Sequence, residues 1–118
     1  MKLHQLTPLL RTKDLRQTIH FYETVLGFTS QGNFPLFASV RLHNAELMFI
    51  QPEEDFAGPV LTGNIYIFMQ GVDELWESLR NKATIKTPID NRAYLMRDFS
   101  ILDNNGYELV FGQDTSKN

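Results

Sequence analysis

Aromatic and polar side chains recur at every second position in several stretches of this chain. Successive side chains of a β-strand point to opposite faces, so this spacing brings them together on one face. The predicted ligand-binding residues on that face are Phe37, Ser39, Arg41, Phe49, Asn64, Tyr66, Phe68, Asp98 and Val110. Rings hold a flat organic compound by stacking and burial, and a few polar groups fix its orientation. The set suits binding better than acid–base catalysis, and it assigns no catalytic residue.

Plainer interpretations of these residues stay open. The aromatic side chains could fill a hydrophobic core that has no cavity. Arg97 and Asp98 could form a local surface ion pair, which would contribute little, instead of offering Asp98 to a ligand. Each alternative predicts a folded domain without a binding site.

The chain has three histidines and no cysteine. Disulfides, thiolate metal sites and thiolate nucleophiles are therefore excluded, which agrees with a reducing compartment. His20 lies opposite the apolar stripe of a predicted helix and His4 lies near the amino terminus, so we interpret both as solvated. His43 shares a strand face with Arg41, but it ends that strand beside Asn44, and exposure to water is the favoured interpretation.

Length and charge narrow the possible partners. A chain of 118 residues with 42% hydrophobic content can form one domain, or two small repeats that share a core. A net charge of -3 with interspersed signs gives no basic face, so we predict no nucleic-acid partner. No window approaches the ~20 apolar residues of a membrane span. We therefore predict a cytoplasmic protein that does not enter a membrane.

The elements that must position these side chains are clearest near the carboxyl terminus. The stretch from Arg97 to Gln113 reads as two alternating strands joined by the turn Asp103–Gly106, whose residue types favour a hairpin. Phe99 and Ile101 share one face of the first strand. Asp98 and Ser100 share the other face. One face of this hairpin is predicted to be buried, and the other is mixed enough to line a cavity.

The rest of the chain reads as the same series of elements used twice. In the first half, a strand at 3–10 precedes a helix that Asp14 caps and Gly27 ends, and three strands follow at 28–33, 35–43 and 46–51. A segment rich in Pro and Gly, 52–63, is the predicted linker. In the second half, the predicted elements are a strand at 64–70, a helix at 72–81, a loop at 82–88, a weak strand at 89–92 and the hairpin. The chain is thus predicted to be a repeat of about fifty residues.

Two stretches carry a family resemblance. LRTKDLRQTIHFYETVLGF in the first half and LMRDFSILDNNGYELVFGQ in the second resemble the vicinal oxygen chelate superfamily, which contains the glyoxalases, the bleomycin resistance proteins and the extradiol dioxygenases. The resemblance implies an α+β fold in which two βαβββ modules form curled mixed sheets around a cup, with the helices outside. The resemblance extends over essentially the whole chain. It implies a single domain, 1–118, with modules at about 3–51 and 64–113.

The resemblance also implies where a metal would bind. Enzymes of the superfamily hold a divalent ion with His, Glu or Gln from the first and last strands of each module. Laid over that pattern, this chain places Thr7, Phe49, Asn64 and Val110 at those positions. These side chains are poor metal ligands. Gln5, Gln51, Glu46 and Glu108 are the nearest polar alternatives, and we expect no metal and no other cofactor.

Three functions stay open at this point. The first is a metal-free protein, similar to bleomycin resistance proteins, that binds or sequesters a small aromatic or hydrophobic ligand, and we favour it. The second is a metal-dependent lyase, isomerase or dioxygenase of the glyoxalase type. The third is a module that uses the fold only for association. The resemblance further implies a homodimer.

Overall fold

The computed structural model describes residues 1–116, apart from the side chains at 33 and 34. The chain divides into two compact units, Met1–Gly58 and the part that begins at Pro59. Each unit holds one helix and a four-stranded sheet. Within the described residues, no helix has the length and apolar content that a membrane span needs.

The first unit contains one helix and the first four strands. Its elements are β1 (Leu9–Arg11), α1 (Leu15–Thr24), β2 (Thr29–Phe34), β3 (Phe37–Leu42) and β4 (Ala45–Ile50). The strand order is β1-β4-β3-β2, in which β1 runs parallel to β4 and the other neighbours are antiparallel. The sheet stays open at β1 and β2.

The second unit repeats this topology. Its elements are β5 (Ile65–Phe68), α2 (Val72–Leu79), β6 (Thr84–Asn91), β7 (Met96–Leu102) and β8 (Glu108–Asp114). The order is β5-β8-β7-β6, with β5 parallel to β8. The predicted α+β fold of two βαβββ modules is confirmed.

The two helices begin in related ways. The amide of Leu15 donates to the side-chain oxygen of Gln51, just after β4, at 2.8 Å. The amides of Gly71 and Val72 donate to the side-chain oxygen of Gln113, in β8, at 2.9 and 3.1 Å. These bonds satisfy amides that the first helical turn leaves without partners. In α1 the predicted cap Asp14 adds a bond from the amide of Gln17 at 3.1 Å.

Each helix covers one face of its sheet. Tyr22 of α1 is fully buried against Phe28 and Phe49, with ring centroids 5.4 and 5.1 Å apart. Trp76 of α2 contacts Phe99 at 5.2 Å, as its place on the helix stripe predicts. The opposite face of each sheet, which we call the open face, is not covered by its own helix.

Two strands differ from the prediction by more than two residues at a boundary. The first strand was predicted from residue 3, but Leu3 and Leu6 are about 90% exposed and the strand begins at Leu9. Pro8 has no N–H to donate, so the ladder begins after it, although its carbonyl still accepts from the amide of Met48 at 2.9 Å.

The second difference lies in β6. The loop predicted at 82–88 is mostly strand, and Pro88 sits inside it. Pro is tolerated there because β6 is an edge strand, and its pairing with β7 is irregular between Thr87 and Asp90. Because this edge strand contains a proline, its sequence was interpreted as a loop.

Candidate functional site

The register of β3 and β4 decides which side chains reach the open face of the first unit. Ser39 lies opposite Met48, and Arg41 lies opposite Glu46. The carboxylate of Glu46 accepts from the hydroxyl of Thr7 at 3.1 Å and pairs with Arg41 at 3.4 Å, and Gln5 contacts both Thr7 and Glu46. The part of this open face around Glu46 is therefore polar, and its side chains are bonded to one another.

Phe37, Ser39 and Arg41 lie on that face, as predicted, but Phe49 does not. Phe49 is fully buried and packs against Tyr22 of α1. The prediction of its facing was wrong because ELMFI is apolar on both faces, and the run alone does not say which face a helix covers. The residue of β4 that neighbours Thr7 is Glu46.

The open face of the second unit holds a cavity of about 280 Å³. This is close to the lower end of the range for small-molecule pockets, and it equals the volume of about nine waters in the liquid. The lining residues are Asn64, Tyr66, Thr87, Arg92, Tyr94, Asp98, Phe99, Ser100, Glu108 and Val110. Four predicted site residues, Asn64, Tyr66, Asp98 and Val110, are therefore together here.

Asp98 is the centre of this cavity wall. Its side chain is 5% exposed. One carboxylate oxygen accepts from Nε of Arg92 at 2.8 Å, and the other accepts from the hydroxyls of Tyr66 at 2.8 Å and Tyr94 at 2.7 Å. Nη2 of Arg92 also donates to the carbonyls of Pro88 at 2.7 Å and Asp98 at 3.0 Å. One carboxylate thus fixes two tyrosine rings and one guanidinium group.

Tyr66 reaches Asp98 only because residue 112 is glycine. Asp98 of β7 lies opposite Gly112 of β8, and Tyr66 lies on β5 beyond it. A Cβ atom at Gly112 would lie 2.1 Å from the hydroxyl oxygen of Tyr66 and 2.6 Å from the ring carbon that bears it. The missing side chain makes the space through which the ring crosses β8.

The network sets the protonation of its members. Burial and the nearby Asp98 carboxylate raise the pKa of Tyr66 well above its ordinary value. The pKa of Tyr94 is raised as well, chiefly by its hydrogen bond to Asp98. Desolvation opposes the charge of Asp98, but the bonds from Arg92, Tyr94 and Tyr66 outweigh it and lower the pKa of that carboxyl. At neutral pH the phenols are protonated and Asp98 is ionised.

Ser100 lies on the same wall of the cavity and is only 2% exposed. Its hydroxyl oxygen is the one buried side-chain polar atom without a hydrogen-bond partner within the part of the chain that the structure describes. Buried polar groups in native proteins are nearly always paired. Ser100 thus brings to the cavity wall a hydroxyl that the described protein leaves unpaired.

Sequence reasoning did not assign Arg92 and Ser100 to the ligand site, and it named Glu108 only as an alternative metal ligand. The amide of Arg92 donates to the carbonyl of Met96 at 2.7 Å, which closes a hairpin and puts Arg92 on the face of Asp98 and Ser100, with Tyr94 in the turn. Arg92 was predicted to end a weak strand at 89–92, but nothing local in the sequence showed that this strand pairs with β7. The ring of Phe68 contacts that of Tyr66 in a tilted arrangement, with centroids 4.9 Å apart, but Phe68 is 73% exposed and lies outside the cavity lining.

The first unit has two larger depressions. One of about 610 Å³ lies beside the start of α1, and its polar groups at Asp14 and Gln51 already cap that helix. The other, of about 450 Å³, is lined by the acidic run Glu53–Asp55. Within the described residues, neither contains an unpaired buried polar atom. The smaller cavity of the second unit is therefore the candidate site.

Comparison with known proteins decides the family. The sequence model of the glyoxalase/bleomycin resistance protein/dioxygenase superfamily matches residues 2–111. The chain belongs to that superfamily. No curated protein matches it significantly in sequence.

Solved structures share the fold of this superfamily member at low identity. A glyoxalase/bleomycin resistance protein/dioxygenase from Nocardioides is 18% identical with a TM-score of 0.79, over 100% of this chain and 87% of that one. TioX from Micromonospora sp. ML1 is 16% identical with a TM-score of 0.78, over 94% and 98% of the two chains. A glyoxalase/bleomycin resistance protein/dioxygenase from Alicyclobacillus acidocaldarius is 15% identical with a TM-score of 0.78, over 92% and 89%. At these identities the likeness concerns the fold alone.

The metal positions implied by the superfamily resemblance do not fit a divalent ion. In the second unit they are Asn64 and Val110, and Val110 has no donor atom. In the first unit Glu46 lies beside Thr7, but Arg41, Gln5 and Thr7 already surround its carboxylate. Among residues 1–116, no cluster of three or more His, Asp or Glu side chains could hold a metal.

Proposed function

We propose that this superfamily member is a metal-free protein that binds, and thereby sequesters, a small planar aromatic compound on the open face of its second module. The observation that carries this proposal is the pair of tyrosine rings that Asp98 holds at the cavity. We further propose that the modules at about 3–51 and 64–113 act as one ligand-binding domain joined by the linker 52–63. Residence in the cytoplasm stays a prediction.

The exposure and the hydrogen bond of Tyr94 support ring stacking as the main source of ligand affinity. Tyr94 is 62% exposed, yet its hydroxyl is held by a buried carboxylate. A ring fixed at one end presents its face with little loss of conformational entropy when a ligand arrives. Aromatic pairs add ~0.5–1.5 kcal/mol beyond the burial of area. Tyr66, whose ring contacts that of Phe68, supplies a second ring to the site.

The protonation states favour binding over proton transfer. A general acid or base works best with a pKa near the working pH. Here the pKa of Tyr66 is raised, that of Asp98 is lowered, and both oxygens of Asp98 already accept hydrogen bonds. Neither Tyr66 nor Asp98 is therefore poised to exchange a proton at neutral pH.

The test is a calorimetric screen of planar aromatic compounds followed by substitution at Tyr94. We expect micromolar binders whose affinity falls about tenfold in Tyr94→Ala, since ~1.4 kcal/mol corresponds to a factor of ten. Tyr94→Phe keeps the ring and loses only the hydroxyl, so we expect it to bind more tightly than Tyr94→Ala. His20→Ala, on the outer surface of α1, is the control and should change nothing. Equal affinity in wild type and Tyr94→Ala would refute this site.

The homodimer implied by the resemblance also stays a proposal. Large apolar side chains on the open faces are exposed, among them Leu9 at 53% and Phe68 at 73%. Exposed large apolar side chains of this kind are compatible with an association surface on each unit. Light scattering at micromolar concentration should give twice the 13.7 kDa chain mass. A result at the monomer mass would exclude the dimer.

A further inference from the structure

The hydroxyl of Ser100 gives the candidate cavity a polar contact that the protein itself does not use. Ser100 lies on β7 beside Asp98, and its oxygen has no partner within residues 1–116. A hydroxyl can both donate and accept a hydrogen bond. Leaving it buried and unpaired opposes folding, and a ligand group that pairs with it would remove that penalty.

The two phenols of the cavity have a fixed direction of hydrogen bonding. An ionised carboxylate only accepts, so Tyr66 and Tyr94 must both donate their single hydroxyl hydrogen to Asp98. The lone pairs of their oxygens are left to accept. A ligand that reaches these oxygens must bring its own N–H or O–H group.

The charges of the lining disfavour an anion. The lining contains two carboxylates, Asp98 and Glu108, against the single guanidinium of Arg92. Arg92 donates three hydrogen bonds, to the carboxylate and carbonyl of Asp98 and to the carbonyl of Pro88. These groups of the cavity wall compensate its positive charge. Within the described residues, the ion-pair partner of Glu108 is Lys86, at 3.4 Å, and Lys86 is half exposed. An ion pair of that kind compensates the carboxylate weakly.

From these three observations we propose that the site selects an aromatic compound whose head group is a hydrogen-bond donor, neutral or cationic but not anionic, and that Ser100 reads that head group. The inference rests on the proposed function and adds the class of ligand to it. Ser100 is a specificity residue in this scheme, while the rings of Tyr66 and Tyr94 supply the contact area.

Three probes that share one naphthalene ring test the inference. They are 1-naphthylmethylamine, 1-naphthylmethanol and 1-naphthylacetate, which carry a cationic donor, a neutral donor and an anion at neutral pH. The amine and the alcohol should each bind at least tenfold more tightly than the acetate in a fluorescence anisotropy titration. Ser100→Ala should weaken the alcohol about fivefold to tenfold, the worth of one hydrogen bond. Ser78→Ala, on the exposed surface of α2, is the matched control and should leave all three unchanged.

The stability of the free protein separates recognition from a structural role. Because the Ser100 hydroxyl bonds nothing in the described chain, Ser100→Ala should melt no lower than wild type while it binds the alcohol less well. A lower melting temperature, or equal weakening of all three probes, would overturn the role of Ser100.

The same titrations distinguish failure of the ligand-class inference from failure of the proposed function. If the acetate binds as tightly as the amine and Tyr94→Ala weakens both, the aromatic site stands and the donor inference is wrong. If Tyr94→Ala weakens none of the probes, or none binds to wild type, the proposed function fails and the inference fails with it.

Discussion

The two modules share a topology and differ on their open faces. Each presents an arginine and a carboxylate there, Arg41 with Glu46 in the first and Arg92 with Asp98 in the second. In the first module the pair is 3.4 Å apart and Arg41 is 36% exposed. In the second it is 2.8 Å apart, Arg92 is 22% exposed, and two phenols complete the shell of the carboxylate. The repeated scaffold supplies the fold, and the side chains that differ supply the candidate site.

The largest expected effect separates the helix-covered face from the open face. Phe49→Ala should lower the free energy of unfolding by about 3–5 kcal/mol, because Phe49 is fully buried against α1 and its removal leaves a cavity. Phe68→Ala, on the open face of the other module, should change it by less than about 0.5 kcal/mol. Urea denaturation of both variants provides the measurement. Stability retained in Phe49→Ala together with lost ligand binding would restore the original facing.

Phe49 also marks how far sequence reasoning reached. The module order, the Asp14 cap, the turn at Asp103–Gly106 and the facing of β7 and β8 follow from local chemistry, and the structure has all of them. In the turn, the Asp103 carboxylate accepts from the amides of Asn105 and Tyr107 at 2.8 and 2.9 Å. Strict alternation made the facing readable in β7 and β8. The ELMFI run lacks alternation, so nothing local distinguished its two faces.

The sequence predicted only some of the site residues, because only some of them follow a local pattern. Asp98, Tyr66, Asn64 and Val110 were predicted because polar and aromatic residues alternate on their strands. Ser100 was assigned to the correct face, but a serine on a polar face carries no sign that it will be buried without a partner. Nor does a glycine at position 112 show from sequence that a ring crosses it. Such features depend on how three strands meet.

The second effect compares the two ion pairs. Asp98→Asn removes the charge that Arg92 and two phenols surround, and we expect it to lower the free energy of unfolding by about 2–3 kcal/mol, since breaking a buried pair leaves its partner uncompensated. Glu46→Gln breaks a more exposed pair and should lower it by less than about 1 kcal/mol. Similar losses in chemical denaturation of the two variants would mean that the second network is no more organised than the first.

The contribution of the Asp98 charge to stability should depend on pH. The pKa of Asp98 in the folded protein is lowered, so the unfolded chain binds its proton first as pH falls. The stability that Asp98 contributes is therefore complete above the unfolded pKa of ~3.9 and is lost as pH falls through the lower folded value. The stability gap between wild type and Asp98→Asn should be constant at neutral pH and narrow below about pH 4. Melting curves across this range measure it, and a gap that widened in acid would contradict the assigned charge state.

A smaller effect compares the helix caps. Gln113 accepts from two amides of α2, whose own cap residue, Gly71, has no side chain to bond them. Gln51 accepts from one amide of α1, where Asp14 caps as well. At ~1 kcal/mol for each net hydrogen bond, Gln113→Ala should lower the free energy of unfolding by about 1–2 kcal/mol, and Gln51→Ala by about half as much. Thermal denaturation of the two variants tests this order, and the reverse order would show that Asp14 adds nothing to α1.

The smallest expected effect is that of added divalent metal. A ligand present at a hundredfold excess over its dissociation constant stabilises the folded state by ~2.7 kcal/mol. The positions implied by the superfamily offer Asn64 and Val110 in the second module, and in the first a Glu46 already paired with Arg41 and Thr7. Nickel, zinc and manganese should therefore leave the melting temperature unchanged. A rise that Thr7→Ala or Asn64→Ala abolished would place a metal at these positions, and it would make a metal-dependent lyase, isomerase or dioxygenase the better interpretation of the second module's cavity.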